Sequence, residues 1–280
     1  MPITATPKKA AIYFHFRFMT DYLNIFKVTQ EGLRTLTETA LMYGGDYADL
    51  YFENTTYFNL LLKDGIVSSG GFHTDFGVGI RVLKGEKTGY AYSESTEMPD
   101  MLKAAKAAGV IASGINGGRT YSTVSDRKLD VYPVKEDWRL QSPDRFLPFL
   151  KDLEKEIFAK DSRVVKVIAR MSDSVSDVLM YNSLGELTCE TRPMGSVSVT
   201  AVFQQGDKTE NRTASRSFRM GAELIGNSLI AELAEEAVKG IDARFDARRP
   251  KGGSMSVVMG AGASGILLHE AMGHAFEADF

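Results

Sequence analysis

Regular alternation of apolar and polar residues restricts the fold of this chain to one that contains an antiparallel sheet. Residues 47–53 and 57–63 both alternate, and Asp64-Gly65 follows the second segment directly. An Asp-Gly pair readily adopts the positive φ angles of a tight hairpin turn, so we expect the chain to reverse there. Further strands of this region are predicted at 66–69, 76–83 and 88–93.

Helices are predicted on either side of these strands. Residues 29–41 place apolar side chains at helical spacing, with Thr29 able to cap the start of the helix. A second helix is predicted at about 99–112, where Pro99 occupies a first-turn position that tolerates proline. Residues 20–112 are therefore predicted to form an α+β domain in which helices cover one face of the sheet.

A second block follows a connection at 113–143 that is rich in Gly, Ser, Asp and Pro. Helices are expected from Ser142 to about residue 160 and at 228–245. The strands predicted between them are 163–170, 176–181, 187–191, 196–204 and 211–218. The second domain is thus predicted at 144–250, and the fold class is α+β with two helix-plus-antiparallel-sheet units.

The two ends of the chain carry separate predictions. Residues 1–19 are interpreted as a loosely attached extension, because His15 and Arg17 interrupt the apolar run that a secretory signal requires. Residues 251–280 are predicted to begin a truncated C-terminal domain, with a buried strand at 254–259, a Gly-rich turn and a helix. We expect the body of that domain to be absent from this chain.

Composition excludes several classes of function. The formal charge of −3 gives no basic footprint for a nucleic-acid partner. No segment approaches the roughly 18 consecutive apolar residues of a membrane-spanning helix. Cys189 is the single cysteine, so an internal disulfide is impossible, which fits a reducing compartment.

Two of the four histidines lie in the predicted last helix, in the sequence His269-Glu270-Ala-Met-Gly-His274. A His-Glu pair followed by a second His is how zinc peptidases place two ligands and a general base on one helix. The imidazoles would bind zinc, and Glu270 would take a proton from a water that the metal makes more acidic. A catalytic zinc needs three protein ligands, so the third must come from elsewhere.

The spacing differs from that of the familiar zinc helix. Positions four apart are about 40° apart around a helix, whereas His269 and His274, five apart, are separated by about 140°. We therefore expect a local widening to a π-type turn, for which Gly273 supplies the freedom. Glu277 could hydrogen-bond a ligand imidazole or be a ligand itself.

Other interpretations stay open. Histidines on an amphipathic helix can be solvated or hydrogen-bonded without any metal. The oxygen-rich set Glu270, His274 and Glu277 would instead favour manganese or iron. The run Gly260-x-Gly-x-x-Gly265 is similar to a dinucleotide fingerprint, but that fingerprint also requires a βαβ unit, so a tight turn is preferred. Cys189 lies in a strand pattern and is predicted to be a buried structural residue.

Several segments of the chain, in order, resemble the TldD/PmbA family of peptidases. The run from Gly260 through His269-Glu270-Ala-Met-Gly-His274 to Asp279 is similar to the metal-binding segment of that family. The segments 48–53, 62–65, 77–83 and 89–92 look like its opening domain. The resemblance extends over nearly the whole chain from about residue 20.

This resemblance implies a cytoplasmic zinc peptidase of the TldD type, in which His269 and His274 bind Zn²⁺ and Glu270 is the general base. It implies a third ligand, a cysteine far downstream, and a TldE/PmbA-like partner subunit that lacks the motif. The implied substrates are unfolded or unstructured peptides, including leader peptides of modified antibiotic precursors.

We expect this chain alone to be inactive, because it ends before any such cysteine. The alternative is a non-catalytic module that binds the partner subunit or adds a peptide to a sheet edge.

Overall fold

The computed structural model places the chain in two compact units, one ending at Phe245 and the other starting at Asp246. The residues it describes are 22–113, 124–129, 131–132, 134–249, 251–262 and 264–277. The extension predicted at 1–19 lies outside these ranges, and the predicted domain limits stay predictions. Within the described ranges, no helix is long and apolar enough to cross a membrane.

Strands and helices are distributed as follows. The strands are β1 (Tyr47–Lys63), β2 (Ile66–Lys84), β3 (Lys87–Ser93), β4 (Ser125–Leu129), β5 (Val164–Asn182), β6 (Glu186–Gln205) and β7 (Lys208–Phe218). The helices of the first unit are α1 (Gln30–Leu41), α2 (Met98–Ile111), α3 (Pro143–Lys160), α4 (Asn227–Val238) and α5 (Ile241–Phe245). The second unit contains α6 (Ser264–Met272), followed by a 3₁₀ turn at Gly273–Phe276.

All of these strands belong to one sheet with the order β3-β2-β1-β5-β6-β4, and β7 pairs with β6. The pairings are antiparallel except that of β4 with β6. β1 and β5 pair from Asp49↔Asn182 to Lys63↔Ile168, which joins the strands of the two predicted blocks in one sheet. The combination of helices with a mostly antiparallel sheet confirms the predicted α+β class.

The strands are longer than the sequence pattern indicates. β1, β5 and β6 each continue through a polar gap that separates two predicted segments. In β1 the gap is residues 54–56, which pair with β2 on one side and with β5 on the other. A polar stretch stays extended there because its two neighbours satisfy its backbone groups. The turn predicted at Asp64-Gly65 is confirmed, with φ of 50° and 75°.

Two predictions for the later part of the chain are wrong. The single helix predicted at 228–245 is divided into α4 and α5, because Gly240 adopts a φ of 72° between them. The strand predicted at 254–259 is not formed, and its side chains are exposed, Val258 by 97%. No described strand pairs with this segment, and an unpaired extended segment has no ladder hydrogen bonds to hold it.

Core side chains lie on one face of the sheet, in two clusters. Alternate residues of β1 are buried on both sides of the polar gap. Leu50 and Phe52 belong to the N-terminal core, which α1 and α2 cover. Phe58 and Leu60 belong to the C-terminal core, which α3, α4 and α5 cover. One strand therefore contributes to two separate cores.

Helix α2 packs closely because glycines stand where its backbone meets its neighbours. A Cβ on Gly89 of β3 would lie 2.1 Å from the carbonyl oxygen of Ala108, and a Cβ on Gly109 would lie 2.4 Å from that of Ala40 in α1. Side chains cannot approach backbone oxygens this closely. The two glycines therefore allow α2 to fit between β3 and α1.

We expect Gly89→Ala to push α2 away from β3 and to lower the free energy of unfolding by about 2 kcal/mol, as overpacking typically does. Gly71→Ala in β2 is the matched control, since nothing lies within 4 Å of its Cβ position. Urea unfolding of both variants measures the difference. Equal stability of the two variants would contradict the close packing of α2.

Polar side chains lie on the covered face between the two cores. Asp177 of β5, only 3% exposed, accepts hydrogen bonds from Arg139 Nη1 at 2.6 Å and from Thr191 Oγ1 at 2.7 Å. The Tyr22 hydroxyl extends this network through a contact of 2.6 Å with Thr191 Oγ1. The buried charge of Asp177 is therefore fully partnered, as a buried carboxylate must be.

Asp173 lies on the same face of β5 but in a different environment. Its carboxyl has no hydrogen-bond partner among the described residues. Burial raises the pKa of this carboxyl to about 7, and the nearby charge of Asp137 adds to the effect. Ionisation of this carboxyl therefore lowers the stability of the folded state.

We expect Asp173→Asn to change the pH dependence of stability in a defined direction. Because the folded-state pKa lies above the unfolded value of about 3.9, wild-type stability is lost as the pH rises from about 4 through 7. The variant should therefore be more stable than the wild type at pH 8, by about 1–2 kcal/mol after allowance for solvent screening, and should lose this advantage near pH 4. Urea unfolding at both pH values measures the difference, and a pH-independent difference would contradict the perturbed titration.

Candidate metal centre

The Gly-rich run forms a turn that leads into α6. Gly262 has a φ of 131°, which favours glycine, and its carbonyl accepts a hydrogen bond of 2.9 Å from the Gly265 N–H. Ser264 is the first residue of α6, and its hydroxyl donates to the carbonyl of Gly260. These contacts fix the start of the helix that carries His269 and Glu270.

The helix breaks between the two histidines. Met272 has φ −135° and ψ −35°, outside the helical range, and the chain continues as the 3₁₀ turn at Gly273–Phe276. The expected widening to a π-type turn is therefore wrong, since the chain tightens after the break. The break nevertheless brings the imidazole ring centroids of His269 and His274 to 4.6 Å from each other.

Three side chains that can bind metal converge at this break. One ligand atom from each of His269, Glu270 and His274 lies within 4.8 Å of the others. His274 Nε2 is 3.2 Å from Glu270 Oε2, and His274 Nδ1 is 2.9 Å from Glu277 Oε1. Glu277 contacts Nδ1 of His274, and the other ring nitrogen, Nε2, faces Glu270.

The donor types fit a zinc ion, and the distances require a small closing movement. Zinc bonds to nitrogen and oxygen are about 2.0–2.2 Å long, so two donors on one ion lie at most about 4.4 Å apart. Two imidazoles are ligands that catalytic zinc sites use, and imidazoles also accept other divalent ions. Within the described ranges, this is the one group of His, Cys, Asp and Glu side chains that meets the distance requirement.

Both the motif residues and their surroundings are open to solvent. The side chains of Glu270 and His274 are 61% and 45% exposed. No residue of α6 is buried, including its apolar residues Ile266 and Leu267. An exposed site is weakly shielded from water, so its electrostatic interactions are weaker than those of an enclosed catalytic centre.

Cys189 is buried in the N-terminal core. Burial raises the pKa of its thiol to about 12, so the group stays protonated at neutral pH. A metal ligand must be a thiolate, and this environment supports the structural role predicted from the sequence.

Family models match two long segments of the chain. The model described as PmbA/TldA metallopeptidase domain 1 matches residues 48–112, and that of the PmbA/TldA metallopeptidase central domain matches residues 136–244. Together they account for more than half of the chain. The chain therefore belongs to the PmbA/TldD family of metallopeptidases, and the family predicted from the sequence is confirmed.

Individual relatives agree with this assignment. The metalloprotease TldD homologues of Haemophilus influenzae and Buchnera aphidicola are 32% and 27% identical over 84% and 95% of this chain. The chain spans about half the length of these curated relatives, 50% and 56%. The solved structure of TldE from Thermococcus kodakarensis shares the fold, with a TM-score of 0.57 at 18% identity over 75% of this chain and 47% of that one.

Gly273 is expected to be required for the placement of His269. A Cβ at position 273 would lie 2.8 Å from Nδ1 of His269, so an alanine there displaces the ring. We expect Gly273→Ala to weaken zinc binding by about tenfold, the lower end of the effect of groups that orient metal ligands.

Gly265→Ala is the matched control in the same helix, because nothing lies within 4 Å of its Cβ position. Competition with a chromophoric chelator measures the zinc affinity of both variants. If the two bind zinc equally well, the close contact between position 273 and His269 does not set the affinity.

Proposed function

We propose that this chain contributes His269, Glu270 and His274 to the catalytic centre of a zinc metallopeptidase that hydrolyses unstructured peptides. The observation that carries the proposal is the convergence of these three side chains at the break of α6, in a chain of a metallopeptidase family. In the proposed roles, His269 and His274 bind the metal and Glu270 is the general base.

The neighbouring side chains support these roles chemically. A bound zinc would act as a Lewis acid on a water and on the peptide carbonyl. Glu277 accepts the Nδ1 proton of a neutral His274, which leaves the Nε2 lone pair free for the metal. The Glu270 carboxylate, 3.2 Å from that Nε2, is close enough to take a proton from a water held beside the imidazole and to return it to the leaving amine.

We further propose that the third metal ligand comes from outside the described residues, as the downstream cysteine of the family pattern would. The exposed apolar side chains of the second unit support a covering element. Val257, Leu267 and Phe276 are 74%, 58% and 81% exposed, and exposed apolar groups of this kind mark surfaces that bind other protein. The isolated chain is then expected to bind zinc weakly and to be inactive.

The partner, substrate class and compartment are proposed from family likeness. A solved TldE shares the fold of this chain, which supports pairing with a TldE/PmbA-like subunit. Unfolded peptides as substrates and a cytoplasmic location follow from the resemblance to TldD-type proteins. The non-catalytic alternative is not favoured, because the curated relatives are named metalloproteases.

Metal analysis of the purified chain tests the proposed ligands. We expect zinc to be lost in His269→Ala and in His274→Ala, because each variant removes one of two imidazole ligands, and to be retained in Glu270→Gln. His73→Ala is the matched control, since His73 stacks on Tyr57 with ring centroids 4.3 Å apart and belongs to the first unit. Competition with a chromophoric chelator at known free zinc concentrations, which detects weak binding, gives the zinc affinity of each protein.

Cleavage of unfolded casein tests the proposed reaction. We expect activity when the partner subunit and a source of the third ligand are supplied, and its loss in Glu270→Gln with zinc still bound. Zinc retained by the His269→Ala/His274→Ala double variant would place the metal elsewhere. A wild-type chain that binds no zinc under any of these conditions would favour the non-catalytic module.

A further inference from the structure

A cavity of about 150 Å³ lies in the first unit, and none of its lining residues belongs to the helix that carries the motif. Five aromatic residues contribute to its lining: Tyr57, Phe58, Phe72, Trp138 and Phe146. Pockets that enclose a whole small molecule typically measure about 300–1,000 Å³. A cavity of this size matches a single amino-acid side chain instead.

The aromatic lining has a fixed floor and an open rim. Phe58, Trp138 and Phe146 are buried, and the ring centroid of Phe146 lies 5.7 Å from that of Phe58 and 5.9 Å from that of Trp138. The Trp138 indole N–H donates to the carbonyl of Met220 at 2.7 Å, which fixes the ring. Phe72 is 69% exposed and packs on Phe58 with centroids 4.7 Å apart, so it forms part of the rim.

Asp173 gives this cavity an acidic group without a partner. Asp173 lines the cavity, and its carboxyl makes no hydrogen bond to any described residue. Burial raises the pKa of this carboxyl to about 7, and the negative charge of Asp137 adds to the effect. A ligand that brought a positive charge to this carboxyl would offset this effect.

Arg139 also lines the cavity, but its charge is already matched. Its Nε and Nη2 donate to Asp137, at 3.1 Å and 2.7 Å, and its Nη1 donates to Asp177 at 2.6 Å. Asp137 and Asp177 therefore already match the charge of this guanidinium, and an ionised Asp173 adds a further negative charge to the cavity lining. The local charge is negative, which repels anions and attracts cations.

We propose that this cavity binds the cationic side chain of a lysine or arginine residue of a polypeptide, with the charged head at Asp173 and the alkyl stem against the aromatic rings. Aromatic rings attract cations, and the long stems of lysine and arginine pack on apolar surface while their heads keep polar partners. The cavity lining supplies both the aromatic rings and the acidic group within a space the size of one side chain.

The free edge of β2 supports a polypeptide as the source of that side chain. β3 pairs with β2 only from Val78 to Lys84. Among the described strands, the part of β2 that contains Phe72 pairs with β1 alone. A polypeptide can therefore approach the rim of the cavity along this edge. The inference does not depend on peptidase activity, since none of the lining residues belongs to α6.

Tryptophan fluorescence tests the site directly, because Trp138 is the single tryptophan of the chain. Nα-acetyl-lysine amide is titrated against the purified 280-residue chain. Nα-acetyl-norleucine amide, with the same backbone and a similar stem but no charge, is the matched ligand. We expect a saturable change with the lysine amide and with the arginine analogue, and an affinity at least tenfold lower for the norleucine amide.

Variants separate the charge from the apolar walls. Asp173→Asn should weaken lysine-amide binding at least tenfold, whereas Asp152→Asn, an exposed acid on α3 outside the cavity, should leave it unchanged. Phe72→Ala should weaken it severalfold without loss of folding, because this ring is mostly exposed. Circular dichroism and thermal unfolding confirm that each variant is folded.

Two results would overturn the proposal. Equal affinity for the lysine and norleucine amides would show an apolar cavity without charge recognition. Wild-type affinity in folded Asp173→Asn would remove the role of the carboxyl. His269→Ala alters the proposed metal centre and not this cavity. We therefore expect lysine-amide binding to be unchanged in that variant, so that failure of one proposal can be told apart from failure of the other.

Discussion

The antiparallel pairing of β1 with β5 is the interaction on which the rest of the first unit depends. It runs without interruption from Asp49↔Asn182 to Lys63↔Ile168, and both strands are long enough to pass beneath two separate groups of helices. Each strand therefore contributes apolar side chains to both cores. Since neither core is complete without β1 and β5, local loss of one core would remove packing from strands that the other core requires. We infer that the two cores unfold together.

The sequence predicts the local elements of this sheet well and its continuity poorly. Alternation identifies most strand positions, and Asp64-Gly65 identifies the first hairpin turn. The sequence does not predict that segments 47–53 and 57–63 form one strand, because residues 54–56 interrupt the apolar pattern. The sequence does contain an indication of continuity. Leu50, Phe52, Phe58 and Leu60 all occupy even positions, and one uninterrupted strand keeps its buried residues at positions of the same parity. Long-range pairing of β1 with β5 has no comparable local signal.

At the candidate metal centre, too, the sequence predicts which residues are involved but not the detailed backbone structure. Residue types and spacing were sufficient to single out His269, Glu270 and His274, and the i,i+5 spacing correctly required a departure from a straight helix. Which departure occurs depends on the backbone angles of Met272 and Gly273, and residue spacing does not determine these angles. A widened turn and a broken helix with a 3₁₀ continuation both bring the imidazoles together. Only the backbone angles distinguish them.

The aromatic cavity was missed because several of its residues fall in segments that the pattern assigns to connections. Trp138 and Arg139 lie in the predicted linker at 113–143, and Asp173 lies between two predicted strands. The contrast between Asp173 and Asp177 is nevertheless informative. Both lie on the same face of β5 between the two cores, yet Asp177 receives two hydrogen bonds and Asp173 receives none within the described structure. The partnered carboxylate has a structural explanation in the Arg139 contact. The unpartnered one costs stability when it ionises, so its presence beside an aromatic cavity is better explained by a cation that binds there.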